Sequence, residues 1–364
     1  TWSVPKRGES LDRSWLPDFS EVPGIQVDSS HFTPIDYFEL YFDRFTFSLI
    51  SSQTNIYAGQ RKEGNIKDRA RMQEWEETDV EEIRKYVGLT ILMGVKKLPE
   101  IPDYWSKSWI FSCPSFRSIM SSRRFELLTS NLHFSNNQDA LPRTHADYDP
   151  LFKIRPFVTH IQQRFRSVYY PEMNVAIDES MCAFKGRFSF RQYMPCKRIR
   201  WGPKNFVLCE SSTGYTYAFY PYLPGKEDKS MRLGTSVVLK LMEPLSGKGH
   251  HLYLDNYYTS PELFQTMATV HKTGCCGTVK SGTAGLPESM SGKVLKKTCK
   301  KGSEPQFQVT DKIVVAAWHD KKKPRTALST IHQAATAMFK NKSKKGDTDV
   351  NKPAFIKDYN GNMG

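Results

Sequence analysis

Two aspartates, Asp178 and Asp255, end short apolar runs: "MNVAID" at 173–178 and "HLYLD" at 251–255. Taken alone, Asp255 with Asn256, before Ser260 and Pro261, reads as an ordinary strand breaker and helix cap. Two such acids brought together at strand ends can do more, because hard carboxylate oxygens suit Mg²⁺ or Mn²⁺. Paired ions of this kind activate water and stabilise the leaving oxygen in phosphodiester cleavage. Soon after Asp178 comes "KGRFSFRQYMPCKRIRWGPK" at 185–204, with seven Lys or Arg and no Asp or Glu. Lys185, Arg187, Arg191, Lys197, Arg198, Arg200 and Lys204 are therefore candidates, from charge and position, to hold a nucleic-acid phosphate backbone, DNA or RNA, over the same pocket. The implied chemistry is that of a metal-dependent nuclease or strand transferase. No Gly-rich phosphate loop, GxSxG or Cys/His signature supports another reaction.

Charge distribution points the same way. The net charge of +14 comprises +7 from 185–204 and +11 from 291–345, where fourteen bases face only Glu304, Asp311 and Asp320, leaving −4 for the rest of the chain. Concentrated basic segments on a slightly acidic chain suit a polyanion, most readily nucleic acid. A generic solvated surface would intersperse acids with the bases.

For Asp178 and Asp255, 77 residues apart, to act together, their strands must be neighbours. The pattern after Pro171 allows this. A strand at 173–178 is followed by a hairpin over "NFVLCESSTGYTYAFYPY" with Ser212 to Gly214 at its turn, then a helix at "SVVLKLMEPL" and the strand ending at Asp255. Ser260 and Pro261 open another helix, Gly274 is expected to close it, and "CCGTVK" forms a further strand. Right-handed crossovers in this β-β-β-α-β-α-β order bring the fourth strand beside the first.

Upstream, the period is helical. Thr33 and Pro34 open a helix whose stripe is Phe38, Tyr41, Phe42, Phe45 and Leu49, and Thr78 with Glu81 gives a capping-box pattern. Ile154, Phe157, Ile161, Phe165 and Val168 form a third apolar face, read as core. Residues 1–29 are polar and expected to be disordered, 282–345 to form a basic inserted module containing the strand "DKIVVAAW", and "NKSKKGDTDVNKP" to be a linker. Chain length and a 39% hydrophobic share allow two or three domains with real cores.

Seven cysteines, at 113, 182, 196, 209, 275, 276 and 299, include no CxxC pair and are read as buried reduced thiols. Nine histidines show no ligand spacing, and His250 and His251 are read as the start of a strand. The longest apolar run, "VGLTILMGV", is too short to cross a bilayer and the N-terminus has no signal-peptide layout, so a soluble intracellular protein with no membrane partner is expected. The chain starts at Thr1 without a Met, which fits a fragment or processed product.

The stretches "AIDESMCAFKGRFSFRQYMPCKRIRWGPKNFVLCESSTGY", "LYLDNYYTSPELFQTM…GTVK" and "KPAFIKDYNGNMG", with the helical "DYFELYFDRFTFSLISSQTNIYAGQ", closely resemble the piggyBac transposases and their domesticated derivatives. The likeness runs in family order over nearly all of 30–364. It implies an RNase H-like catalytic core over 173–281, completed by 346–364. A helical dimerisation and DNA-binding domain over 30–172 and an insertion domain over 282–345 would accompany it. Asp178 in "IDES" and Asp255 in "LDNYYTS" match the first and second catalytic aspartates. The third lies, in the family, shortly after "YNxxMG", beyond Gly364, and Asp358 is too early in the motif to be it. The resemblance further implies cleavage and joining of transposon ends at TTAA targets in double-stranded DNA, with Mg²⁺, by a nuclear homodimer. "KKKPR" at 321–325 is either a nuclear import signal or an ordinary basic loop. The alternative within the family is a domesticated DNA-binding protein without catalysis.

Overall fold

The computed structural model describes residues 1–6, 10–64, 71–195, 197–226, 230–341 and 348–363. It divides into two compact units, Asp28–Phe165 and a larger one built from Thr1–Val27 and Arg166–Gly364.

The first unit is helical: α1 (Pro34–Glu39), α2 (Arg44–Glu63), α3 (Val80–Val95), α4 (Pro114–Ile119), α5 (Ser122–Asn131) and most of α6 (Arg155–Val168). Pro34 opens α1 as expected, with the Thr33 amide and hydroxyl both donating to Asp36. The stripe read from Phe38 to Leu49 is broken, because α1 stops at Glu39 with Leu40 as its cap and Asp43 caps the next helix by accepting from Thr46 N at 3.0 Å. Phe45 is thereby turned outward while Phe47 and Ile50 are buried. The capping box expected at Thr78 and Glu81 is displaced by one residue: Asp79 is the cap and accepts from Glu82 N, and the Thr78 hydroxyl donates to the Glu82 carboxylate. Phe47, Ile83, Leu89, Phe116, Phe125 and Leu128 form the core of this unit.

The second unit is organised by one eight-stranded sheet. Its first strands are β1 (Asn174–Met181), β2 (Lys204–Glu210), β3 (Thr216–Pro221), β4 (His251–Leu254) and β5 (Gly274–Val279). Helices α7 (Leu233–Met242) and α8 (Pro261–Thr269) lie between them in sequence. Three further strands, β6 (Gln306–Val309), β7 (Val314–Asp320) and β8 (Lys323–Ser329), give the spatial order β6-β7-β8-β5-β4-β1-β2-β3. β4 runs parallel to both β1 and β5, and the hairpin β2-β3 is antiparallel, which is the arrangement that juxtaposes the two acid-bearing strands. Val175, Ile177, Phe206, Leu208, Val237, Leu241, Leu263 and Phe264 fill the layer against α7 and α8. Tyr253, Cys276, Val314, Ala316 and Trp318 share the opposite layer with Phe355 and Ile356 of α10 (Phe355–Asn362). Each fully buried Val, Leu, Ile or Phe among them contributes roughly 1.5–3 kcal/mol.

Several expectations are revised. The described part of 1–29 is not loose: Ser3 bridges to Val309, Leu11 is buried, and the Arg13 guanidinium donates to the carbonyls of Lys312 and His332. Gly274 does not close α8, which ends with Val270 as its cap; it opens β5 instead. Part of the expected linker is strand, since β9 (Thr336–Asn341) pairs with β10 (Thr348–Pro353), while 342–347 lie outside the described residues. The basic stretch after 282 supplies α9 (Gly292–Thr298) and extends the main sheet through β8, which pairs antiparallel with β5. Six cysteines are free, but Cys182 is exposed and Cys209 half-buried; Cys196 is outside the described residues.

Candidate active site

Register brings the two aspartates together. Ile177 of β1 pairs with Leu254 of β4, so Asp178 and Asp255 are the next positions along two adjacent parallel strands, about 4.8 Å apart laterally. Alternation puts Asp178 on the side of Ala176 and Asp255 on the side of Tyr253, both toward the layer that contains α10. Both carboxylates therefore share a face where the parallel pairing of β1 with β4 stops, a place where open α/β sheets hold ligands; Asp255 follows the last residue of β4, but Asp178 does not end its strand as expected, because β1 runs on to Met181 beside β2.

Local bonds hold Asp255 in position. Its Oδ1 accepts from Tyr257 N at 2.7 Å, and its carbonyl accepts from Thr259 N and Oγ1 at 3.2 and 2.8 Å. Gly277 lets this turn close over β5, because a Cβ there would stand 2.4 Å from Thr259 Oγ1 and 2.6 Å from Leu254 O. Burial, with the negative charge of Asp178 added, pushes the Asp255 carboxyl up despite the Tyr257 N–H. Burial first, and then the two carboxylates, also pushes up the phenol of Tyr359 on α10. Two like charges side by side are destabilising unless a cation or proton intervenes. The donor set fits Mg²⁺ or Mn²⁺, which are commonly held by one or two carboxylates together with substrate phosphates. Among the described residues no third His, Cys, Asp or Glu joins Asp178 and Asp255 to complete a metal-binding group.

The basic candidates separate into two groups. Lys197 Nζ is 4.0 Å from Asp178 Oδ2, at the rim of the acid pair. Lys185, Arg187, Arg191, Arg198 and Arg200 are exposed on the excursion between β1 and β2. That excursion is pinned by Cys182 N to Pro203 O, Phe184 N to Trp201 O, and a two-residue ribbon pairing Gln192–Tyr193 with Trp201–Gly202. Arg191 lies over the Trp201 ring, its centroid 4.9 Å away, and also donates to the carbonyls of Lys185 and Gly186. Lys204 does not join them. Its ammonium is 3.4 Å from Glu179 Oε1 and surrounded by the rings of Phe206, Tyr222 and Tyr257, on the core side of the sheet.

Glu179 was not singled out by sequence reasoning. Burial first, then its neighbour Asp178, push this carboxyl up, with Lys204 opposing. The signal was present in the adjacent pair Asp178-Glu179 and in the two-residue alternation of β1, which sends Glu179 to the side of Ile177. Tyr359 was likewise missed, since nothing local reveals that α10 packs over β4.

A DDE-type transposase family model, described as Transposase IS4, matches residues 33–364. The human PiggyBac transposable element-derived protein 2 is 28% identical over 368 residues, covering 97% of this chain and 59% of that protein. The human PiggyBac transposable element-derived protein 3 is 25% identical over 341 residues, covering 91% of this chain and 54% of the relative. The chain thus spans a little over half the length of these two curated relatives. A cryo-EM structure of a piggyBac transposase synaptic complex with hairpin DNA superposes with a TM-score of 0.75 at 23% identity, over 95% of this chain and 69% of that one. The likeness in fold agrees with the β3-β2-β1-β4-β5 order and identifies the sheet as an RNase H-like core. With the match running over nearly the whole chain, it belongs to the piggyBac family of DDE-type transposases.

Proposed function

We propose that this chain carries the acid centre of a DNA strand transferase, which cuts and joins transposon ends at TTAA targets. The observation that carries the reading is the lateral pairing of Asp178 and Asp255 on one sheet face, beside a basic excursion with no acid in it. Asp178 and Asp255 would hold Mg²⁺ or Mn²⁺, which when bound neutralises charge on a phosphodiester and lowers the pKa of water. The chain's own share is to orient: the Tyr257 and Thr259 contacts fix the Asp255 turn, and Lys197 sets a positive charge at the rim. Lys185, Arg187, Arg191, Arg198 and Arg200 would bind phosphates and make affinity fall with salt. Lys204, spent on Glu179, is left out of that set.

On the same reading the helical unit serves dimerisation and DNA binding, the working form is a homodimer, and the site of action is the nucleus, with "KKKPR" as an import signal. Family resemblance supports these assignments. A second reading is a DNA-binding protein without catalysis, which the acid-free basic excursion at 185–204 would serve equally well.

The deciding experiment compares protein carrying this chain with its Asp178→Asn variant on duplex DNA bearing TTAA ends, with Mg²⁺ or Mn²⁺. Cleavage lost in the variant, with binding kept or slightly tighter, supports the transferase. Binding without cleavage in both proteins supports the second reading, and equal cleavage in both removes Asp178 from the site.

A further inference from the structure

Lys204 Nζ, 3.4 Å from Glu179 Oε1, also lies 4.6, 5.8 and 5.4 Å from the ring centroids of Phe206, Tyr222 and Tyr257. These groups come from separate parts of the second unit: Glu179 from β1, Phe206 from β2, Tyr222 from just past β3, and Tyr257 from the turn that follows β4. Register explains the convergence. Glu179 pairs with Phe206 and Met181 with Lys204, so Lys204 sits diagonally across from Glu179 on the same face. The Lys204 carbonyl accepts from Tyr222 N at 2.8 Å.

The contacts with Glu179 and Tyr257 lead to the acid pair. Glu179 is the chain neighbour of Asp178. The Tyr257 N–H donates to Asp255 Oδ1 at 2.7 Å, so a shift of the Tyr257 backbone carries the Asp255 carboxylate with it. Lys204 therefore joins, from behind the sheet, the strand that bears one aspartate to the turn that holds the other. That turn also lies close against α7, where a Cβ on Gly234 would stand 3.2 Å from Tyr257 O. The charge pair with Glu179 and the cation–π contact with Tyr257 both weaken with distance, so each resists a widening of the gap.

Stability alone does not account for a cation at this place. Apolar side chains of similar volume commonly serve a shielded site as well as an ion pair does. What they do not supply is a fixed point between Glu179 and Tyr257. Metal ligands are sensitive to such support, and loss of an outer partner that orients a ligand costs roughly 10–100-fold in metal affinity.

We infer that Lys204 is a positioning residue: with Glu179 and Tyr257 it sets the separation of Asp178 and Asp255, and with it the strength of divalent-cation binding. The inference rests on the acid-centre reading. The sign of the effect separates geometry from charge. By Coulomb attraction alone, removing a nearby positive charge would tighten the binding of a cation, whereas lost positioning weakens it.

The test titrates protein carrying this chain with Mn²⁺, following the free ion by electron paramagnetic resonance, with urea unfolding in parallel. Lys204→Met should raise the Mn²⁺ dissociation constant about tenfold. Glu179→Gln/Lys204→Met removes one charge of each sign and strands neither, so it should regain stability yet keep the weakened affinity. Tyr257→Leu leaves both charges in place and should weaken Mn²⁺ binding in the same direction; it stands in if the Lys204→Met protein does not fold. Unchanged or tighter binding in either folded single variant, or affinity that returns with stability in the double variant, would overturn the positioning role. Mn²⁺ binding by the parent that Asp178→Asn does not weaken would sink the acid-centre reading instead, and with it the role given to Lys204.

Discussion

Glu179 Oε1 and Lys204 Nζ lie 3.4 Å apart on the core side of the sheet, one residue along β1 from Asp178. The side chains are only 11% and 15% exposed, so the pair is largely shielded from solvent and does structural work behind the acid centre. Removing one partner strands the other. Lys204→Ala should cost about 3 kcal/mol in urea unfolding, and adding Glu179→Gln should recover part of the loss. Additive losses in the double variant would show that the two groups do not sense each other.

Gly202 tests whether the basic excursion is a built surface. A Cβ at this position would lie 1.7 Å from the Cys182 carbonyl oxygen, a contact that only movement of backbone relieves. Gly202→Ala should therefore unpin the Gln192–Tyr193 ribbon and weaken DNA binding while leaving the helical unit intact. Limited proteolysis would show new cleavage within 183–201; an unchanged digest together with unchanged affinity would mean that the loop conformation is unimportant.

What the sequence disclosed follows the range of the interactions. Asp178 and Asp255 were legible because each closes a short apolar run, and the helix–strand order forces their strands together. Lys204 was misread because the strand was begun at Asn205; started one residue earlier, the alternation Lys204, Phe206, Leu208 already turns the lysine inward. The cap at Asp43 was missed because aromatic spacing suggested one unbroken helix from Phe38 to Leu49, and the cap at Asp79 because Thr78 offered a competing local signal of the same kind. The layer that Trp318 shares with Phe355 and Ile356 had no local signal, since it depends on an antiparallel pairing between β5 and β8 some fifty residues apart, and on α10 returning over the sheet. The tethering of residues 1–29 depends on contacts with residues near 309 and 332, which polar composition does not reveal.

The return of α10 hangs on Asp358. Its carboxylate accepts from Tyr253 OH at 2.6 Å and lies 3.1 Å from His332 Nε2, and those bonds, the His332 one foremost, hold its pKa down. Asp358→Ala leaves the buried Tyr253 hydroxyl without its acceptor and should lower stability by about 2 kcal/mol. Tyr253→Phe, which removes the hydroxyl but keeps the ring, should lower it by about 1 kcal/mol. Hydrogen exchange should quicken across α10 more in the first variant than in the second, and equal protection in both would show that the helix is held by Phe355 and Ile356 alone.

His251 makes stability fall with acid. It sits at the start of β4 among His250, His332 and Asp358, and burial above all lowers its pKa to about 4 from the ordinary 6.5. The folded chain then keeps this ring neutral over a range where the unfolded chain takes up a proton. Stability contributed by the neutral ring is fully present above pH 6.5 and falls as pH drops toward 4, by up to about 3 kcal/mol. Burial lowers the pKa of His250 as well, so its effect has the same sign, whereas the depressed Asp358 acts only below its ordinary value of 3.8. In urea unfolding measured from about pH 7.5 down to the onset of acid unfolding, His251→Gln should lose less stability between pH 6.5 and 4 than the parent. Parallel curves for the two proteins would show that the imidazole is protonated in place, and that the fold accepts a charge beside β5 and α10.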